Sequence, residues 1–177
     1  YSLEFDGVDD YVELGDILNF GIENFRHEFW FKTSDEDKGM IYHSDGVESN
    51  TYPCYWVRIQ SGRLHANLSD LSNDQINLES NIIVNDSLWH YAELQVDIQL
   101  GVKMYIDSEL VDSQPYDIDE IISNGEYAVI GKQVHWGSDI NFYNGQLNDM
   151  KFWDSDNILL SSWNFNAGED NILYDHS

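Results

Sequence analysis

Tyr55-Trp56-Val57-Arg58-Ile59-Gln60-Ser61-Gly62-Arg63-Leu64-His65-Ala66-Asn67-Leu68 decides the fold class. Two runs alternate between apolar and polar residues, and Ser61-Gly62 joins them. Side chains of an extended strand point alternately to opposite faces, so a period of two marks a half-buried strand. Two such runs around a two-residue turn read as a hairpin. The pattern continues outward. Tyr11–Leu14, Glu28–Lys32 and Met40–His43 precede the hairpin. After it come Trp89–Val96, with Tyr91, Glu93 and Gln95 on one face, then Val102–Asp107, Glu109–Val111, Tyr127–Ile130 and Phe142–Trp153. This gives about ten short strands separated by turn signals, the spacing of an antiparallel sandwich. Pro53 and Pro115 fall at strand limits, where a missing N–H does no harm. A helix of one or two turns fits only Leu18–Phe25 or Asp117–Ile122. With no linker or low-complexity stretch, the expectation is one all-β domain over residues 1–177.

Composition excludes several functions. The chain has 177 residues, with 33 Asp and Glu against 8 Lys and Arg, a formal charge of −25. Binding a nucleic-acid backbone needs clustered Lys and Arg, so no nucleic-acid partner is expected. Adhesion to an anionic lipid surface fails on the same ground. Disorder is also excluded, because aromatic residues make up 14% of the chain and disordered acidic chains lack them. No run of about 18 apolar residues exists to insert in a membrane. No basic segment precedes an apolar one as in a signal peptide. The chain starts at Tyr1 without Met, so it reads as a piece of a larger protein or a mature form. The lone Cys54 has no internal disulfide partner and reads as a small buried hydrophobe.

Four motifs, in order, resemble the laminin G-like domains of the concanavalin A-like jelly-roll superfamily. Leu3-Glu4-Phe5-Asp6-Gly7-Val8-Asp9-Asp10-Tyr11-Val12-Glu13-Leu14 is similar to their opening strand pair. Asp86-Ser87-Leu88-Trp89-His90-Tyr91-Ala92 is similar to their Asp-Gly-x-Trp-His-x-Val strand, and Tyr105-Ile106-Asp107-Ser108 to the hairpin that follows. Phe142 through Asp154 resembles their closing strand and that of pentraxins. The resemblance implies a two-sheet antiparallel jelly roll. Trp89 and Trp153 are expected as buried anchors, and Gly7, Gly131 and Gly145 as tight bends. Trp163-Asn164-Phe165 through Ser177 resembles the segment that commonly begins such a domain. The expectation is that residues 161–177 pack back as an edge strand; the alternative is the start of a next repeat.

Catalysis finds little support. Laminarinase-type relatives carry Glu-x-Asp-x-x-Glu on a strand, which sets a carboxylate pair on one face. The nearest stretch is Asp117-Ile118-Asp119-Glu120-Ile121-Ile122, with Ile in the acid/base position. No Gly-x-Ser-x-Gly, His-Glu-x-x-His or phosphate-cradling loop occurs, so no enzyme is expected. Ca²⁺ takes 6–8 oxygens, mostly from carboxylates and carbonyls. Asp6, Asp9 and Asp10 offer three carboxylates around Gly7, with Asp9, Asp10 and Asp16 weaker candidates than Asp6. Related jelly rolls hold Ca²⁺ between the first strand and an Asp of the closing strand, which matches Asp149. The resemblance therefore implies a structural Ca²⁺ on Asp6 and Asp149. The pentraxin calcium pair would fall near Tyr52-Pro53 and Lys132–His135. Neither stretch has the oxygens, so that mechanism is not expected.

Sugar sites combine an aromatic face that stacks on the ring with amides, acids or imidazoles that bond hydroxyls. Lys132 through Asn141 has this composition, with Trp136 beside Gly137 in a polar loop and His135, Asp139 and Asn141 around it. Tyr52 and Tyr55 join them, since in the family both loops lie on one rim. His27, His65, His90 and His176 read as structural or surface residues. The expected function is an extracellular, non-catalytic recognition module that binds a glycan or polysaccharide. The alternatives are an adhesion module for a surface protein, or a spacer between neighbouring domains; a divergent glycoside hydrolase ranks below both.

Overall fold

The computed structural model describes residues 2–15, 23–45, 54–70, 72, 74–119, 127–135, 138–165, 168–169 and 172–173. In chain order the strands begin with β1 (Leu3–Asp6), β2 (Val12–Gly15), β3 (Phe25–Thr33), β4 (Asp37–Asp45), β5 (Cys54–Gln60) and β6 (Arg63–Ser69). They continue as β7 (Gln75–Glu79), β8 (His90–Asp97), β9 (Gly101–Ile106), β10 (Glu109–Gln114), β11 (Tyr127–Ile130) and β12 (Gln133–His135). The last are β13 (Ser138–Ile140), β14 (Asn144–Asp154), β15 (Leu159–Trp163), β16 (Gly168–Glu169) and β17 (Ile172–Leu173). Among the described residues there is no helix. Of the two short helices considered from sequence, residues 18–22 and 120–122 lie outside the described residues, and residues 23–25 and 117–119 are not helical.

One sheet runs β1-β14-β3-β8-β9-β10, with β15 also on β14; the other runs β2-β11-β4-β5-β6-β7. β12–β13 and β16–β17 are small separate ladders. Every ladder is antiparallel. The two sheets face each other in a jelly-roll β-sandwich, the fold expected from sequence.

Alternation explains which side chains meet between the sheets. In β3 it buries Phe25, His27, Phe29 and Phe31; in β5, Tyr55, Val57 and Ile59; in β8, Ala92, Leu94 and Val96. Aromatic side chains dominate the centre, where Phe152, Tyr42 and Tyr55 surround His27. Trp163 of β15 is 3% exposed and meets Phe152 edge-on. The Ser61-Gly62 turn has positive φ at both residues (53° and 71°), the conformation that matches strand twist in a two-residue hairpin. Gly131 (φ +90°) follows β11 where the ring of Phe5 crosses; a Cβ there would lie 2.4 Å from Phe5 Cε1. Only glycine combines that conformation with that approach.

Candidate functional site

The site grows from an interruption in β14. β3 lies along one side of this strand. Along the other side, β1 pairs with residues 144–147 and β15 with residues 150–153. Asn148 and Asp149 fall between these two half-strands. The register against β3 also shifts between Asn148 and Lys151, and Asp149 adopts φ 51°. A β-bulge of this kind re-aims side chains that a regular strand would space evenly.

Opposite the bulge, β3 alternation turns Trp30 outward with Glu28 and Lys32, while Phe29 and Phe31 face the core. Trp30 is the register partner of Asn148 on one side and Tyr91 on the other. Its indole packs on the Tyr91 ring at 5.4 Å. Trp89 approaches from the loop before β8, in the same phase as Tyr91. His90 fixes that loop: its Nδ1 lies 2.8 Å from Asp107 Oδ2 and its Nε2 3.2 Å from Asp86 Oδ1. Asp86 also accepts the Leu88 N–H at 2.8 Å. That backbone bond, and then His90, hold its carboxyl below the usual range. Trp30, Trp89, Asn148, Asp149 and Asn164 line an open cleft of ≈ 630 Å³.

The cleft has defined polarity. Trp30 and Trp89 are 39% and 38% exposed. Asn148 Oδ1 is buried with no hydrogen-bond partner among the described residues. The Lys151 ammonium donates to Asp149 Oδ2 at 2.6 Å. Beside Trp30, burial foremost, and then the Glu28 and Glu93 carboxylates, push the Tyr91 phenol up. Two half-exposed indoles beside an amide and a carboxylate suit a ring-shaped ligand that carries hydroxyls.

Residues singled out in the sequence fall in different places. Asp6, Asp9 and Asp10 come together, with carboxylate oxygens within 4.8 Å of one another. The turn at Gly7 (φ +78°) arranges them; Asp6 Oδ1 accepts the Val8 N–H at 2.8 Å, and Asp10 Oδ2 the Asp6 N–H at 3.0 Å. Asp149 does not join them. Asp6 pairs with Asn144, and five further residues along β14 put Asp149 roughly 15 Å away. It lines the Trp cleft instead.

Tyr55 is also displaced from its expected role: it is fully buried, and its hydroxyl shares a 2.7 Å hydrogen bond with His27 Nδ1. No ligand reaches it at the rim. Asn141 (φ 53°) donates its side-chain amide to Gln133 Oε1 at 2.7 Å. His135 and Asp139 lie on β12 and β13, where His135 pairs with Ser138 and Asp139 with Val134. Trp136, Tyr52 and Asp16 lie outside the described residues.

Two further expectations change. Trp89 is not a buried anchor but a cleft wall. Cys54 is half-buried and polar-bonded, with Sγ 3.0 Å from Ser69 Oγ. Trp30, Asn148 and Asn164 were absent from the sequence candidates, although an aromatic in the charged phase of β3 was a readable signal for Trp30.

Comparison with known proteins follows the geometry. A family model described as the concanavalin A-like lectin/glucanases superfamily, of laminin G type, matches residues 6–156. No curated protein matches the sequence. Among solved structures, a native heptameric serum-amyloid-P-like pentraxin from Limulus polyphemus is 15% identical with a TM-score of 0.63, covering 85% of this chain and 74% of its own. The CBM40 module of a Ruminococcus gnavus IT-sialidase, solved bound to α2,3-sialyllactose, is 15% identical with a TM-score of 0.63, covering 81% of this chain and 89% of its own. Domains LG4-5 of the mouse laminin α1 chain are 14% identical with a TM-score of 0.67, covering 90% of this chain and 44% of theirs. At these identities the structural likeness establishes the fold. The match over most of the chain establishes the family: this protein belongs to the laminin G-like family of the concanavalin A-like lectin/glucanases superfamily.

Proposed function

We propose that this chain is a non-catalytic carbohydrate-binding module that holds sugar rings in the Trp30–Trp89 cleft. One observation carries the reading: two half-exposed indoles flank a cleft whose buried Asn148 Oδ1 lacks a partner. Indole faces stack on the apolar faces of pyranose rings, and a sugar hydroxyl that displaced the cover over Asn148 Oδ1 would give that acceptor the partner it lacks. The Ruminococcus gnavus module supports the reading as a fold neighbour whose bound partner is a sugar. A second contact enters the same proposal through His135, Trp136, Asp139, Asn141 and Tyr52.

Ca²⁺ belongs to the proposal as a structural ion on Asp6, Asp9 and Asp10. Each carboxylate retains lone pairs beyond its turn hydrogen bonds, and backbone carbonyls and water would complete the shell. We place the module outside the cell, as one domain of a larger surface protein with its C-terminal segment packed back on β14. A charge of −25 is tolerable there, because salt confines repulsion to about 10 Å.

The test is a glycan array with wild type and the Trp30→Ala, Trp89→Ala and Trp136→Ala variants, each checked for fold by circular dichroism. Loss of binding by about tenfold or more in Trp30→Ala and Trp89→Ala supports the cleft. Loss in Trp136→Ala alone moves the site to the rim. Absence of binding by the wild type refutes the carbohydrate reading and favours adhesion to a surface protein.

A further inference from the structure

We infer that the Trp30–Trp89 cleft selects uncharged saccharides over carboxylate-bearing ones, and that Asp149 is the residue that sets this choice. The inference rests on the carbohydrate reading of the same cleft and adds the class of ligand. Of the five lining residues, Trp30, Trp89, Asn148 and Asn164 are neutral and Asp149 alone carries charge. Among the described residues the only cation that touches it, Lys151, donates to its Oδ2 at 2.6 Å. That ammonium is therefore already committed to a carboxylate.

The surroundings extend the same sign. Glu28 is the register partner of Lys151, and Glu93 that of Glu28. Arg26 is drawn to Glu28. Asp86 and Asp107 flank His90 beneath Trp89. Lys32 lies two residues along β3 from Trp30. Together Glu28, Glu93, Asp86, Asp107 and Asp149 outnumber Lys151, Lys32 and Arg26. A sugar carboxylate entering the cleft meets Asp149 at short range, where like charges repel most and salt screens least. A hydroxyl meets the free lone pairs of Asp149, which accept. The chemistry therefore recognises neutral hydroxyl-rich rings. This differs from the sialyllactose held by the Ruminococcus gnavus module.

Asp149→Asn makes the decisive variant. Asparagine has the same shape and tolerates the left-handed φ of 51° better than most residues other than glycine. The change removes the cleft's anion and releases Lys151 to pair with a ligand carboxylate. Lys151→Gln does the opposite, leaving Asp149 unneutralised.

The experiment uses the intact chain on an array of neutral oligosaccharides, each matched to a sialylated or uronic-acid counterpart, followed by calorimetric titration of the best pair. The expected result for wild type is binding to the neutral member at least about tenfold tighter than to the acidic one in low salt, narrowing in high salt. The neutral-to-acidic ratio falls about tenfold or more in Asp149→Asn and rises in Lys151→Gln. Equal or tighter binding of the acidic member by wild type, lost in Trp30→Ala, overturns this inference and leaves the carbohydrate reading intact. An unchanged ratio in both charge variants overturns the role of Asp149. No binding to either member overturns the carbohydrate reading, and this inference with it.

Discussion

Acid should unfold this sandwich through His27 before its carboxylates titrate. The imidazole is fully buried and stacks on Phe152 at 3.9 Å and 13°. Its Nδ1 is satisfied by the Tyr55 hydroxyl, and its Nε2 has no hydrogen-bond partner among the described residues. Burial holds its pKa well below 6.5, because the charged form would lack both water and a counter-ion. The unfolded chain binds a proton at this residue near pH 6.5 and the folded chain does not. The contribution is therefore complete above about pH 6.5 and is lost as pH falls toward the depressed folded value. Each pH unit in that window costs about 1.4 kcal/mol. Urea denaturation of wild type and His27→Phe, measured between pH 7.5 and 5, isolates the effect. Phenylalanine keeps the stack on Phe152, and the lost Tyr55 hydrogen bond subtracts a pH-independent amount of about 1–3 kcal/mol. The wild-type stability curve should fall more steeply below pH 6.5 by the amount given, with the two lines converging. Parallel curves would refute the argument, since His27 would then titrate alike in folded and unfolded chains.

Two other perturbations probe the frame and the acidic turn. Gly131→Ala should cost about 2–4 kcal/mol, from a positive φ combined with a Cβ thrust into Phe5. A loss below 1 kcal/mol in urea denaturation would contradict the close approach. Chelation by EDTA should lower the melting midpoint by several degrees if the ion is present near a hundred times its Kd, where binding stabilises by about 2.7 kcal/mol. Asp9→Asn should remove most of that shift, and an unchanged midpoint in wild type would refute structural calcium.

Parity of alternation made much of the sandwich readable, and also explains two misplaced residues. In β5 the apolar phase is Tyr55, Val57 and Ile59, so Tyr55 travels with the core however close it lies to a loop. In β8 the outward phase is Tyr91, Glu93 and Gln95; Trp89 continues it and faces the cleft. A large aromatic suggests burial, but phase decides. β7 escaped the sequence reading because only Ile76 and Leu78 mark its inner face.

The cleft itself was not legible. It depends on where β1 stops and β15 starts against β14, and no local pattern specifies that junction. For the same reason Asp6 and Asp149 were paired by family analogy, while the register puts Asn144 opposite Asp6.

The shared edge of β14 also imposes an order on folding. The β5–β6 hairpin closes over a two-residue turn, an event of about 1–10 μs. β14 closes locally on β15 but must wait for β1 and β3, drawn from near the start of the chain. Such distant pairings pay their loop-closure entropy first and form slowly. Trp30 and Trp89 come together only when β3 pairs with β8, and their cleft is complete only when β14 docks beside Trp30 with Asn148 and Asp149. A chain emerging from synthesis therefore displays its acidic surface and local hairpins well before it can hold a ligand, and competence to bind reports that β14 has docked on β3.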